Sequence, residues 1–238
     1  HTQSCFTINA IHIHHGLSPN ADNWLLFCQR LCDQFTLSFQ CEVLFQYAKI
    51  NVQSEPRKSL EALARDARYS AIDRLAPADS VVLLGQHVDD QAETVLLQLK
   101  RGAGPKGLSG MAERFTKTSS VQYARPWINT GIGKQEILAY ARQYELTWVE
   151  DESNQDTSFD RNFLRNEVMP ILKNKWPQIN TTIIRSALLC ASQNQLIEKF
   201  AMEALQKIEN EDGALSLSGL STLPDQLHSE VIRLWSVQ

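Results

Sequence analysis

The sequence has few of the features that would send it to a membrane, an oxidising compartment or a polyanion. No apolar run approaches the roughly 20 residues a membrane helix needs, and the opening HTQSCFTINA has neither a basic stretch nor an apolar core of the export type. The five cysteines, Cys5, Cys28, Cys32, Cys41 and Cys190, form no CxxC and no spaced pair of pairs. Cys28 and Cys32 stand four apart in a helical pattern, which suits packing on one face better than a zinc site. This usage points to a reducing, cytoplasmic compartment with free thiols mostly in the core. Net positive charge is missing as well, with a formal charge of −4 and a pI of about 5.9. From residue 197 to 238 three Lys/Arg face seven Asp/Glu, so this tail carries −4 and residues 1–196 balance. Contact with RNA would have to use local basic patches rather than the overall field. Repeats and low-complexity tracts are absent, and 238 residues suffice for one large domain, or one domain and part of a second.

What is present is an alternation of strand and helix patterns. Residues 6–13 alternate toward a strand that stops at His14-His15-Gly16, and Trp24, Phe27, Cys28, Leu31 and Phe35 follow Ser18-Pro19 at helical spacing. A second strand is predicted over residues 42–47. Pro56 closes the loop after it, and Leu60, Leu63, Ala64, Ala67, Ala71 and Leu75 mark a long amphipathic helix. Val81-Val82-Leu83-Leu84 has the look of a buried parallel strand. Such alternation implies an α/β fold, a parallel sheet with helices on both faces. Beyond it, residues 111–120 read as a loose polar connection and residues 121–128 as a strand interrupted by Pro126. A helix with Ile137, Leu138, Ala141 and Tyr144 is predicted after Gly131 and Gly133, then a short extended piece over residues 146–149. Asp160 can cap the next helix, in which Leu164, Val168 and Ile171 pack and Pro170 falls near the end. Trp176-Pro177 reads as a hinge, and from Thr181 the pattern is helical until Asp212-Gly213.

Residues 85–110, GQHVDDQAETVLLQLKRGAGPKGLSG, concentrate charge and glycine where the third strand hands over to a helix, at the sheet edge where α/β folds bind ligands. At about 100° per residue Val88, Ala92, Val95, Leu96 and Leu99 share one face, expected to pack, while Asp89, Asp90 and Glu93 share another, expected to be free for chemistry. Carboxylates in a first turn favour the helix dipole, and Asp89 could be the N-cap. Three within one turn repel each other, and the usual remedy is a cation such as Mg²⁺. Lys100-Arg101 at the helix end is an ordinary basic C-terminus, but four of the ten glycines follow at Gly102, Gly104, Gly107 and Gly110, a pattern that allows close backbone approach to a ligand.

The run His87-x-x-Asp90-Gln91-x-Glu93-Thr94, continued by Arg101-Gly102-x-Gly104-x-x-Gly107-Leu108-x-Gly110-Met111, resembles the signature of bacterial tRNA(Ile)-lysidine synthetases, which are PP-loop ATP pyrophosphatases. Ile11-His12-Ile13-His14-His15-Gly16-Leu17 upstream, and Asp151-x-Ser153-Asn154 with Arg161-Asn162-x-x-Arg165 downstream, stand in the family's order. The resemblance implies an adenine-nucleotide α-hydrolase-like catalytic domain over residues 1–180 and the beginning of a central helical, tRNA-contacting domain over residues 181–238. It implies a ligase whose partners are the tRNA(Ile) with a CAU anticodon and free L-lysine. ATP adenylates the wobble cytidine at the oxygen on carbon 2, and the lysine ε-amine then displaces AMP. It places Asp90, Glu93 and Arg101 in catalysis, with Asp90 and Glu93 on Mg²⁺ or positioning lysine and cytidine, and Arg101 stabilising phosphate or adenylate. Ile13, His14, Gly85 and Arg101 are the ATP-binding positions it implies, and Arg161, Asn162 and Arg165 those for tRNA or phosphate. Read alone, the three arginine-segment residues could equally solvate a helix, although arginine forks suit phosphate. The histidines could be metal ligands, packed groups or part of a nucleotide pocket, and strand alternation, which turns His15 away from His12 and His14, counts against the metal.

The family carries a Ser-Gly-Gly-x-Asp-Ser loop after its first strand that wraps the pyrophosphate, and no such segment is present here. The expectation is a chain that begins after that loop and lacks the family's C-terminal domain, with poor ATP hydrolysis as it stands. Two other readings stay open: a related tRNA-thiolating enzyme, which the scattered cysteines count against, and a noncatalytic tRNA-binding fragment.

Overall fold

The structure, a computed structural model, describes residues 7–16, 18–39, 41–51, 60–118 and 121–236. Cys5, Phe6, Leu17, Pro56, Ser119 and Ser120 lie outside the described residues. With them go the expected start of the first strand, the end of the histidine motif, the loop-closing proline and the end of the polar connection. The chain divides into two compact units, one running up to Leu84 and including Arg114–Ala124, the other formed by Gly85–Glu113 and Arg125–Gln238.

In the first unit, β1 (Ile8–His14) pairs in parallel with β2 (Val43–Lys49) through the intervening α1 (Ala21–Phe39). Ser18 opens α1, its hydroxyl accepting from Asn20 N and its carbonyl from Ala21 N. After α2 (Leu60–Leu75), β3 (Ser80–Leu83) pairs in parallel with β5 (Val121–Ala124), whose other edge is taken by β4 (Arg114–Thr118). Side-chain alternation puts the helices on both faces of β1. Ile11 and Ile13 pack with Tyr69 and Ile72 of α2, while Ala10 and His12 lie with Cys28, Leu31, Cys32 and Phe35 of α1 around an apolar groove of about 560 Å³. Tyr69 meets the Tyr123 ring edge-on at 5.2 Å between centroids, and Phe115 stacks on Tyr123 at 4.9 Å.

The expected loose connection over residues 111–120 is therefore partly wrong, because β4 pairs antiparallel with β5 and the sheet is mixed. A single apolar residue, Phe115, holds that strand against the core, too weak a periodicity to read in RFTKT. The expectation of core thiols also needs correction: of the described cysteines only Cys32 is buried, and Cys28, Cys41 and Cys190 are half-buried.

The second unit is helical: α3 (Val88–Lys100), α4 (Pro105–Leu108), α5 (Lys134–Gln143), a 3-10 turn (Glu152–Gln155), α6 (Asp160–Phe163), a π-helical turn (Leu164–Val168), α7 (Met169–Lys175), α8 (Ile179–Ile208), α9 (Leu217–Leu220) and α10 (Asp225–Trp235). Helix α8 packs on α3, α4 and α10. Its C-terminal half builds a core from Ala201, Ala204, Leu205, Ile208 and Val231, ringed by leucines that include Leu215, Leu223 and Leu227. The boundary expected near residue 180 falls within this unit, at the α7–α8 junction, where Trp176 leaves helical geometry at φ −131° and ψ 88°. Residues 146–149 are irregular rather than extended in a sheet, and Trp148 and Val149 stay exposed. Asp160 is the first helical residue, not the cap, and its carboxylate instead meets Lys100 Nζ at 2.6 Å. Pro170 follows directly on the π-helical turn, inside a helical run unbroken from Asp160 to Lys175, where its missing N–H leaves a ladder carbonyl without its donor.

Candidate functional site

The first turn of α3 is built by its own sequence. His87 is the N-cap, and the Asp90 carboxylate, at N3, accepts from His87 N at 3.1 Å. Val88, Ala92 and Val95 are buried as the periodicity predicts, but Leu99 is 60% exposed, because the packed face ends before the last turn. The acidic face departs more sharply from expectation. It is not free: Glu93 is 2% exposed, among the most buried side chains described.

Protein cations cover that face. Arg165, in the π-helical turn, places Nε 2.8 Å from Glu93 Oε1, and its Nη2 lies 2.8 Å from both Glu93 Oε2 and Asp90 Oδ1. Arg161, on α6, donates to Thr94 Oγ1 at 2.7 Å and brings Nε to 3.7 Å from Glu93 Oε2. Asp89 serves a different set. Its Oδ1 accepts from Lys173 Nζ of α7 at 2.5 Å and Asn180 Nδ2 of α8 at 2.7 Å, and its Oδ2 accepts from Lys134 N at the start of α5 at 2.8 Å. Three carboxylates in one turn thus find their cations in the chain itself. This is the remedy for repulsion that the sequence reading assigned to a metal.

Burial raises the carboxyl pKa of Glu93 even though Arg165 beside it pulls the other way. Burial would raise Asp89 too, but there the hydrogen bonds from Lys173, Lys134 N and Asn180 outweigh it and the pKa is lowered. Burial disfavours the Arg165 cation, and its bonds to Glu93 more than restore it. Both oxygens of Asp89, Asp90 and Glu93 already accept from protein donors. Among the described residues no group of three or more His, Cys, Asp or Glu side chains is arranged to hold a metal. As arranged, Asp90 and Glu93 do not fit Mg²⁺, which needs freely offered oxygens in octahedral array.

The remaining expected site residues fall in separate places. Arg101 is the C-cap of α3, roughly 16 Å along the helix from Asp90 at 1.5 Å per residue, so the two are not brought together. Its side chain is exposed and has no ion pair among the described residues. The glycine-rich loop beyond it is pinned by Gln91, which is buried and exchanges hydrogen bonds with Met111 N at 2.8 Å and Met111 O at 3.0 Å. Gly110 holds φ +68° against it, and a Cβ there would lie 2.7 Å from Gln91 Oε1. Asn162 turns inward, donating to the carbonyls of Ser153 and Asp156 at 2.8 and 2.9 Å, and so fastens the 3-10 turn that Asp151 caps. Gly85 stands in open space just before α3. In the first unit Ile13 packs against α2, and the buried His14 meets Asp22 at 3.1 Å, so both side chains are used internally.

Sequence reasoning missed Gln91, Lys173 and Asn180. Gln91 carried a signal, a polar residue on the packed face of α3. Lys173 and Asn180 carried none, since their contacts join positions 84 and 91 residues apart.

The sequence profile of the PP-loop domain, an ATP-binding domain, matches residues 1–172. The chain belongs to the PP-loop family. This PP-loop chain is 44% identical over 228 residues to the tRNA(Ile)-lysidine synthase of Vibrio cholerae serotype O1, covering 96% of the chain and 50% of that relative. It is 42% identical over 228 residues to the tRNA(Ile)-lysidine synthase of Edwardsiella ictaluri, with the same two coverages. The chain spans about half the length of the curated relatives it matches. Among solved structures, the U34-tRNA thiolase NcsA from Methanococcus maripaludis with its [4Fe-4S] cluster superposes with a TM-score of 0.55. That match covers 78% of this chain and 63% of the other at 16% identity, a likeness of fold alone.

Proposed function

We propose that the chain is the ATP-using part of a cytoplasmic tRNA(Ile)-lysidine synthase. In this reading ATP activates the wobble cytidine of the CAU-anticodon tRNA(Ile) by adenylating the oxygen on carbon 2, with release of pyrophosphate. Free lysine then attacks that carbon through its ε-amine, and AMP leaves. The observation that carries the reading is the identity of 44% across nearly the whole chain to a protein of that name, together with the PP-loop match. Replacing an oxygen by an amine needs a good leaving group, which an adenylate supplies.

Residue roles follow from what each group can do. Lysine must lose a proton before it attacks, and a carboxyl whose pKa is raised is a better acceptor near neutrality. Glu93 is raised where Asp89 is lowered, which supports Glu93 as the base, with Asp90 beside it positioning the amine or cytidine. Arg165 must yield part of its fork for either role. Arg101, exposed and uncommitted, suits phosphate or adenylate, and Ile13, His14 and Gly85 are the positions for ATP, the first two through backbone because their side chains are occupied. Arg161 and Asn162 then act at one remove, holding Glu93 and the Ser153 turn.

The deciding experiment is ATP-dependent transfer of labelled lysine to unmodified tRNA by the whole gene product, with methionine tRNA as control. Transfer confined to the isoleucine tRNA is expected. Equal labelling of both tRNAs, or none while ATP still binds, overturns the proposal.

A further inference from the structure

Trp176 is a large apolar side chain left 55% exposed at the break between α7 and α8. It lines a pocket of about 550 Å³ with Lys175, Pro177, Gln178, Ile179 and Thr182. Its indole N–H makes no hydrogen bond among the described residues, although it is a donor that normally finds a partner when covered. The flanking residues Lys175, Pro177 and Gln178 are exposed as well.

The segment of chain that forms the pocket is one-sided in charge. Between Glu167 and Glu198 the sequence contains no carboxylate, only the cations Lys173, Lys175 and Arg185, a local +3 in a chain of formal charge −4. Lys173 is committed to Asp89, whereas Lys175 and Arg185 form no ion pair among the described residues. Arg185 is three residues beyond the pocket-lining Thr182 on α8 and therefore on the same face. An exposed indole set between uncompensated cations matches what single-stranded nucleic acid requires, a stacking surface for a base and positive charge for the phosphates on either side.

We infer that Trp176 is a stacking platform for one unpaired RNA base, with Lys175 and Arg185 holding the adjoining phosphates. The inference rests on the tRNA reading above and adds a contact site to it, remote from the acidic turn in sequence and independent of the chemistry proposed there. Gln178 and Thr182 at the rim can hydrogen-bond a base edge, while the indole face accepts any base.

The test measures fluorescence anisotropy of two labelled probes, an unmodified CAU-anticodon tRNA(Ile) transcript and a single-stranded oligouridylate, with the intact chain. Trp176→Ala is expected to weaken both roughly 5- to 150-fold, as loss of a stack worth about 1–3 kcal/mol requires. Trp176→Tyr should stay within about threefold, because it keeps an aromatic face. Lys175→Gln and Arg185→Gln, both at exposed positions, should each lower the slope of log affinity against log salt by about 0.7–0.9. A perfect RNA duplex should not distinguish Trp176→Ala from the parent, a result that damage to the fold could not produce. Binding of both single-stranded probes by Trp176→Ala within twofold of the parent, or unchanged salt slopes in the two Gln variants, overturns the platform while leaving the tRNA reading intact. If Trp176→Ala does not fold, the Tyr and Gln variants decide alone. Failure of the parent chain to bind either RNA overturns both readings.

Discussion

Arg165 holds two carboxylates with one planar fork, and no other described side chain reaches both Asp90 and Glu93. Removing it leaves Glu93 buried with only the Arg161 contact at 3.7 Å. Arg165→Ala should cost about 3–5 kcal/mol, the range for stranding a buried charge. Lys at that position should restore less than half, because an ammonium cannot span three oxygens in a plane. Urea unfolding midpoints decide it, and an Ala variant within about 1 kcal/mol of the parent would mean that the fork is dispensable. Asp89 makes a separate prediction in pH. Its folded pKa lies below the ordinary 3.8, so its contribution to stability is complete above that value and is lost as pH falls through the lowered one. The stability difference between the parent and Asp89→Asn should be flat near neutrality, about 2 kcal/mol for charged hydrogen bonds, and shrink only below the ordinary carboxylate range. Glu93, with its pKa raised, acts in the opposite sense, its share being complete below 4.5 and lost as pH rises through the folded value. A difference that grows on acidification would contradict the assignment for Asp89.

The N-cap of α5, Gly133, lies against the Asp89 carboxylate of α3, which leaves no room there for a larger residue. A Cβ at Gly133 would stand 2.7 Å from Asp89 Oδ2 and 3.1 Å from Val88 Cγ1. Gly133→Ala should therefore destabilise by about 1–3 kcal/mol through overpacking, and much of that should vanish in an Asp89→Ala background, where the oxygen is gone. A double-mutant cycle with no coupling would show that the clash relaxes elsewhere. This contact also shows what could be read from the sequence and what could not. The strands and helices around residues 8–100 follow from local periodicity, and so does the placing of Asp89, Asp90 and Glu93 on one face of α3, but the burial expected of β3 does not hold, since Val81 and Leu83 are 51% and 70% exposed. Which donors face the three carboxylates does not follow from periodicity, because Lys173, Asn180 and Arg165 arrive from segments whose local pattern says only helix. The same limit hid β4, where one phenylalanine stacked on Tyr123 does the work that alternation usually signals. Gln91 could have been identified as a loop anchor, since a polar side chain on a packed face must find partners, and here it finds both backbone groups of Met111.

Each unit has its own core, and their chemistry differs: Tyr69, Tyr123 and Phe115 in the first, aliphatic side chains from α8 and α10 in the second. The second also carries a charged chain in which Glu198 of α8 accepts from Lys106 of α4 at 3.3 Å and from Arg233 of α10 at 3.0 Å, while Arg233 also pairs with Glu230. Exposed pairs of this kind add little individually, so the aliphatic cluster must carry most of the stability there. Leu205 is fully buried in that cluster, and truncating it leaves a cavity that helices locked by their own backbone bonds can close only in part. Leu205→Ala should cost about 3 kcal/mol and, because separate cores permit separate opening, should speed amide hydrogen exchange in α8 and α10 far more than in β1, β2 and β5. Uniform acceleration across all of these elements would show that the molecule opens as one cooperative body and that the division into units has no energetic meaning. Protection lost only in the helices would place the weaker link in the aliphatic core that α8 and α10 share.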